Sequence, residues 1–230
     1  MRSLVLLFFL VTSCAASAQL EEIAVTGSRI DGYGGMPTVT ITKAADFLVQ
    51  EIRLINDSRS PELRRKEIIA TIEGLLKSAS AAQNVALSYG DGFLFPVDLN
   101  DESLQIIEDQ KRPDTSVVDI YVKVALDRGD DTKKRITELR KFIAMASLVG
   151  RTEIASEGDV GLSIVNPEKY RHEILSKISA ENGQLVKAMG DSCRVKINGL
   201  ESRVEWERTA VAELTLYIPY SLEISDCVRR

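Results

Sequence analysis

A single histidine, His172, stands in the 230 residues, so any reaction that needs an imidazole base has one candidate. Glu168 lies four residues earlier, a spacing that puts both side chains on one face of a helix. The pair could serve as base and orienting carboxylate or as two metal ligands, and Ser176, a further turn on, would supply a nucleophile for an exported hydrolase. A zinc site would need one or two more ligands, and the chain contains no HExxH or CxxC pattern. Nor does Ser176 sit in a nucleophile elbow. The expectation is an ordinary surface ion pair between Glu168 and His172, with no catalytic residue, no metal and no cofactor.

Other suggestive groups read as backbone devices. Gly32, Gly34 and Gly35 lie in a glycine-rich turn, GYGGMP, that lacks the Lys-Ser or Lys-Thr of a phosphate cradle. Arg128-Gly129-Asp130 matches an adhesion tripeptide but falls between a strand end and a helix start, where glycine and aspartate turn and cap the chain. Asp130-Asp131 and Glu21-Glu22 lack the alternating acids of a calcium loop. Trp206 and Phe142 read as core or sheet-face residues.

The three cysteines point to compartment. Arg2, the apolar run Leu4 to Val11 and the small residues Ala16-Ser17-Ala18 form a secretory signal over residues 1–18, so the mature chain is expected to start at Gln19 in the periplasm. The run is too short to span a bilayer. Val11-Thr12-Ser13-Cys14 can also be read as a lipoprotein box that would anchor the protein to a membrane through Cys14; Val11 in place of the usual leucine makes soluble export the working expectation. Cleavage leaves Cys193 and Cys227 where disulfides form. Each borders an apparent strand, Arg194 to Asn198 and Leu214 to Ser225, and antiparallel pairing would bring them together. A bridge there would contribute roughly 2 to 4 kcal/mol by restricting the unfolded chain; the other reading is two separate thiols.

The chain is 44% hydrophobic with a formal charge of −5, and the signal removes only the positive Arg2. Nucleic acid is excluded as a partner, because phosphate binding needs a basic surface or stripe. The densest basic run, KKRITELRK at 133–141, interleaves Glu138, Ile136 and Leu139 and reads as the solvated face of a packed helix. No transmembrane segment is expected in the mature chain.

The elements that must position these groups alternate along the chain. Ile23 to Gly27, TVTITK, ADFLVQEIRLIND, Asn84 to Tyr89 and Phe93 to Val97 read as strands, the last two joined at Gly90-Asp91-Gly92. Asn100 to Asp114 reads as an exposed connection. Ser60-Pro61-Glu62 announces a helix whose face carries Ile68, Ile69, Ile72, Leu75, Leu76 and Ala79. In Ser116 to Leu126, Val118, Ile120, Val122, Val124 and Leu126 alternate with Asp119, Tyr121 and Lys123, the pattern of a half-covered sheet. A second helix is expected from Asp131 or Thr132 to Gly150, with Ile136, Leu139, Phe142, Ile143 and Ala146 inward. A third starts at Asn166-Pro167-Glu168, buries Tyr170, Ile174, Ile178, Leu185 and Met189, and stops at Gly190. The order implies an α+β fold of largely antiparallel sheet with about three amphipathic helices, one domain over 19–230 whose halves, 38–115 and 116–226, loosely echo each other.

Two resemblances bear on function. Glu21-Glu22-Ile23-Ala24-Val25-Thr26-Gly27-Ser28-Arg29-Ile30 resembles the segment that opens mature TonB-dependent outer-membrane receptors, EEIVVTGSRI, with Ala24 for valine. The likeness implies that Glu22 to Gly27 could pair as an added strand with TonB, making this chain an accessory of TonB-linked uptake. The chain cannot itself be a receptor, which needs a plug and a large barrel. From Ile23 to Ile224 the layout resembles the SIMPL-domain family of exported bacterial envelope proteins: Ile23, Val25 and Gly27 match its opening I-x-V-x-G strand, and PEKYRHEILSKISAENGQLVKAMG, RVKING and AELTLYIPYSLEI its late helix and closing strands. That helix is usually alanine-rich, whereas here it carries Ile174, Ile178 and Ser179. The resemblance implies no established enzymatic activity, a homo-oligomer or a bond to another envelope protein, and links to envelope or oxidative stress.

Overall fold

The computed structural model describes residues 21–25, 36–189 and 193–227. The signal, Cys14, Thr26, Gly27, Gly32, Gly34, Gly35 and Gly190 lie outside them. Strands β1 (Glu22–Val25), β2 (Ile41–Ala44) and β3 (Phe47–Asn56) precede α1 (Pro61–Ala82). Then come β4 (Val85–Tyr89), β5 (Phe93–Pro96), β6 (Ile107–Glu108), β7 (Ser116–Ala125), α2 (Thr132–Ala144) and β8 (Thr152–Val165). The chain ends with α3 (Arg171–Ala188), β9 (Arg194–Asn198), β10 (Glu205–Arg208), β11 (Glu213–Tyr217) and β12 (Ser221–Ser225). The fold is α+β, and every strand pairing among the described residues is antiparallel.

Six strands close on themselves. They run β3-β8-β1-β5-β4-β7, and β7 pairs back onto β3 from Phe47 opposite Ala125 to Asn56 opposite Ser116, with β6 added beside the start of β7. Closure corrects the reading of Ser116 to Leu126 as a half-covered sheet. Val118, Ile120, Val122 and Val124 face the main core as expected, but Tyr121 and Lys123 are only 8% and 5% exposed. These two lie inside the closed sheet, where Tyr121 packs with Val49, Leu94, Ala24 and Phe47, whereas Asp119 further along the same face keeps its side chain 36% exposed. The β3–β8 register shifts between Val49 and Glu51, where the Gln50 amide donates to the carbonyl of Glu157 at 2.8 Å, a bulge that bends β8 around the barrel.

The helices cover the outward face. Ser60 caps α1 by accepting from the Leu63 amide at 3.3 Å, and Ile68, Ile72, Leu75 and Ala79 are buried. Asp131 caps α2 at the Lys133 amide, 3.0 Å, and Leu139 and Ile143 point inward. The helix ends at Ala144, short of the expected Gly150. Gly150 instead turns the chain into β8 at φ +60°, where a Cβ would strike the Glu67 carboxylate at 2.1 Å.

Near the C-terminus two expectations are corrected. Asn166 adopts a left-handed conformation without capping, and Pro167–Tyr170 form a 3₁₀ turn before α3. Ile174, Ile178 and Asn182 are buried, whereas Leu185 and Met189 are 37% and 39% exposed, because α3 outruns the core beneath it. The run from Leu214 to Ser225 breaks at Ile218-Pro219-Tyr220. Proline cannot donate to a ladder, and the run divides into β11, in a sheet of order β10-β11-β2, and β12, which pairs with β9.

Candidate functional site

β1 is held on both edges. Glu22 to Val25 pair with Val165 to Leu162 of β8, while Glu22 and Ile23 pair with Leu94 and Phe93 of β5. Ile23 points outward and is fully buried in the main core. Glu22 points into the barrel, where it accepts hydrogen bonds from the Lys123 ammonium and, at 2.7 Å, from the Ser163 hydroxyl. The ammonium also lies 4.5 Å from the centre of the Phe47 ring. Each charge thus has its counter-charge or donor, as burial demands.

A second charged group lies further along the inward face. Arg53 grips Asp119 through two hydrogen bonds, 2.7 and 2.9 Å, which hold its guanidinium firmly protonated. Burial, and then the negative Asp119, push the Glu51 carboxyl above the usual carboxylate range. Burial and the charge of Glu51 push the Tyr121 hydroxyl up to about 12. The polar residues at inward-facing strand positions, Glu22 and Lys123, were the sequence signal of this interior.

Glu168 and His172 are not brought together. Glu168 accepts from the Val204 amide at 2.8 Å and from Arg171 at 3.3 Å; Arg171 also donates to the carbonyls of Ser202 and Leu200. This corrects the expected Glu168–His172 ion pair: the 3₁₀ turn over 167–170 breaks the α-helical spacing that would have aligned them. Glu168 fastens α3 to the 200–204 turn. His172 and Ser176 are exposed on α3. Among the described residues, no group of three or more histidine, cysteine and acidic side chains could hold a metal, and no helix is long and apolar enough to cross a membrane.

A cleft of about 720 Å³ opens between the β2–β3 turn, the 126–132 loop and Tyr170. Three of its charged side chains are engaged: Lys43 with Glu173 at 2.7 Å, Asp46 with the Val165 amide at 2.7 Å, and Asp130 with Arg135 at 2.8 Å. Arg128-Gly129-Asp130 forms the turn at its lip, Gly129 at φ +96°. A smaller hollow of about 200 Å³ lies between Phe93, Pro167 and Trp206, and Glu21 holds Arg203 at its rim at 2.6 Å. Trp206 and Phe142 pack against the main core.

Cys193 and Cys227 form a disulfide, compatible with an exported protein. They clasp one end of the β9–β12 ribbon. At the other end Ile197, Leu200 and Tyr220 pack on the core, and Gly199, φ +91°, lies so close to Pro219 that a Cβ would meet its carbonyl oxygen at 2.6 Å. Val195 opposite Ile224 and Ile197 opposite Leu222 share one face, with Ile224 37% exposed; Arg194, Lys196, Glu223 and Ser225 share the other and are exposed. Lys196 and Glu223 stand 4.0 Å apart across the ribbon. Among the described residues, neither strand has a second neighbour. The chain matches no family model, no curated protein and no solved structure.

Proposed function

We propose that this is an exported periplasmic protein of SIMPL-like fold that acts without catalysis, as a binding or self-assembling scaffold of the cell envelope, in envelope or oxidative stress. The observation that carries the reading is the disulfide-clasped β9–β12 ribbon, which among the described residues offers strand edges without a second neighbour. Unpaired strand edges are ready-made templates for another chain. Strand pairing of Glu22 to Gly27 with TonB is the weaker reading, since β5 or β8 would first have to leave β1. Photocrosslinking from position 25 in living cells, with the products identified by mass spectrometry, separates the two. Crosslinks within the chain or to a second copy support the scaffold; a crosslink to TonB overturns it in favour of uptake.

A further inference from the structure

β9 and β12 carry opposite charges on the same face of the ribbon. The sequence RVKIN places Arg194 and Lys196 on β9, while SLEISD places Glu223 on β12 and Asp226 just beyond it. Within one chain they already answer each other: Lys196 with Glu223, and Arg194 with Asp226 at 3.6 Å. The outer edges of the two strands therefore differ in sign.

That difference decides which edges can meet between copies. Both strands have five residues, centred on Lys196 and Glu223. Antiparallel pairing of two β9 edges at full overlap sets Lys196 against Lys196, and two β12 edges set Glu223 against Glu223. Like charges directly opposite are destabilising. Pairing β12 of one copy with β9 of the next sets Glu223 against Lys196 and repeats the register of the intramolecular pair. It also continues the apolar face, Ile224 against Val195 and Leu222 against Ile197.

We infer that a second copy of this chain docks by adding its β9 edge to β12, antiparallel and in the intramolecular register, so that copies join head to tail through their ribbons. This rests on the scaffold reading and names its partner and contact. A head-to-tail contact is heterologous, so it builds a ring where the rotation closes and a filament where it does not. The Cys193–Cys227 bridge holds both strands of the template at the end away from the core, so reduction disassembles the copies.

Sedimentation velocity on the oxidised mature protein over a concentration series tests the contact. The wild type associates, and Glu223→Lys, which sets its own sign against Lys196 both across the contact and within the ribbon, associates about tenfold more weakly while the melting temperature of the barrel is unchanged. The double variant K196E/E223K recovers association. Mixing a Lys196→Cys copy with a Glu223→Cys copy and a short bismaleimide gives mostly mixed dimers. A monomeric wild type, Glu223→Lys association as tight as wild type, or crosslinks mainly between identical copies would overturn the head-to-tail contact. The scaffold reading survives those results if photocrosslinking from position 25 stays within the chain or captures an envelope protein other than TonB, and falls if it captures TonB.

Discussion

Inside the barrel the ammonium of Lys123 on β7 donates to the carboxylate of Glu22 on β1, joining two strands that are not neighbours in the sheet. Ser163 of β8 donates to the other carboxylate oxygen, so three strands converge on one buried charge. The pair braces the interior at the segment whose likeness to a receptor contact strand had suggested exposure. Removing one partner leaves the other buried and uncompensated. Lys123→Met is expected to cost about 3 to 5 kcal/mol in urea unfolding, and adding Glu22→Leu to recover part of that loss. Additive losses in the double variant would show that the pair is not coupled.

Glu67 fastens α1 to the barrel through one oxygen, which accepts from Asn56 at 2.7 Å, Ser58 at 2.7 Å and the Arg151 amide at 3.0 Å. The Asn56 hydrogen bond is the largest of the causes that hold its carboxyl below the ordinary 4.5. A carboxyl with a lowered native pKa adds stability that is complete above the unfolded value and is lost as the pH falls through the native one. Glu67→Gln should therefore melt below the wild type at neutral pH, with the gap closing as the pH drops below 4.5. A gap that stays constant with pH would assign the loss to shape rather than charge.

Glu51 has the opposite sign. Burial, followed by Asp119, raises its carboxyl above 4.5, so its ionisation opposes the native state. The opposition is absent below the unfolded value and complete above the raised native one. Glu51→Gln is expected to stabilise the protein at neutral pH and to make no difference below pH 4.5. Thermal melts across that range check it, and destabilisation at neutral pH would mean that Arg53 attracts the charge more than its burial penalises it.

Local signals were legible in the sequence, and long-range closure was not. Ser60-Pro61-Glu62 and Asp131 start helices through contacts within a few residues, so their chemistry can be read directly. The alternation from Ser116 to Leu126 identified a strand but read Asp119, Tyr121 and Lys123 as its uncovered face, whereas Tyr121 and Lys123 are buried. That depended on β7 reaching β3, some seventy residues earlier, to close the barrel. The periodicity of α3 ran on to Leu185 and Met189, yet a helical stripe does not say how far the core beneath it extends. Cys193 and Cys227 were paired correctly because their flanking strands predict a shared ribbon end. The Glu168–His172 pair failed because four-residue spacing aligns side chains only in an unbroken α-helix.

His172 and Ser176 are exposed on α3, and their side chains have no hydrogen-bond partner among the described residues. Alanine at either position is expected to change stability by less than about 0.5 kcal/mol, as at ordinary surface sites. Neither should remove a cellular phenotype of the intact gene, and the wild type should show no labelling by a serine-reactive probe above background. Loss of phenotype in a normally folded His172→Ala protein would return the chain to the hydrolases.

The disulfide joins residues 34 apart in sequence, and among the described residues the apolar side chains by which the ribbon it clasps meets the main core, Ile197, Leu200 and Tyr220, lie at its other end. Its contribution, roughly 2 to 4 kcal/mol, is therefore expected to act on the ribbon and not on the barrel. On reduction, amide exchange should accelerate over 194–198 and 221–225, while 47–56 and 116–125 keep their protection. Exchange that rises equally in both regions would make the ribbon part of one cooperative unit with the barrel. Local opening alone would leave the barrel folded and the Lys196 and Glu223 edges no longer held in register, the state in which a strand template loses its partner.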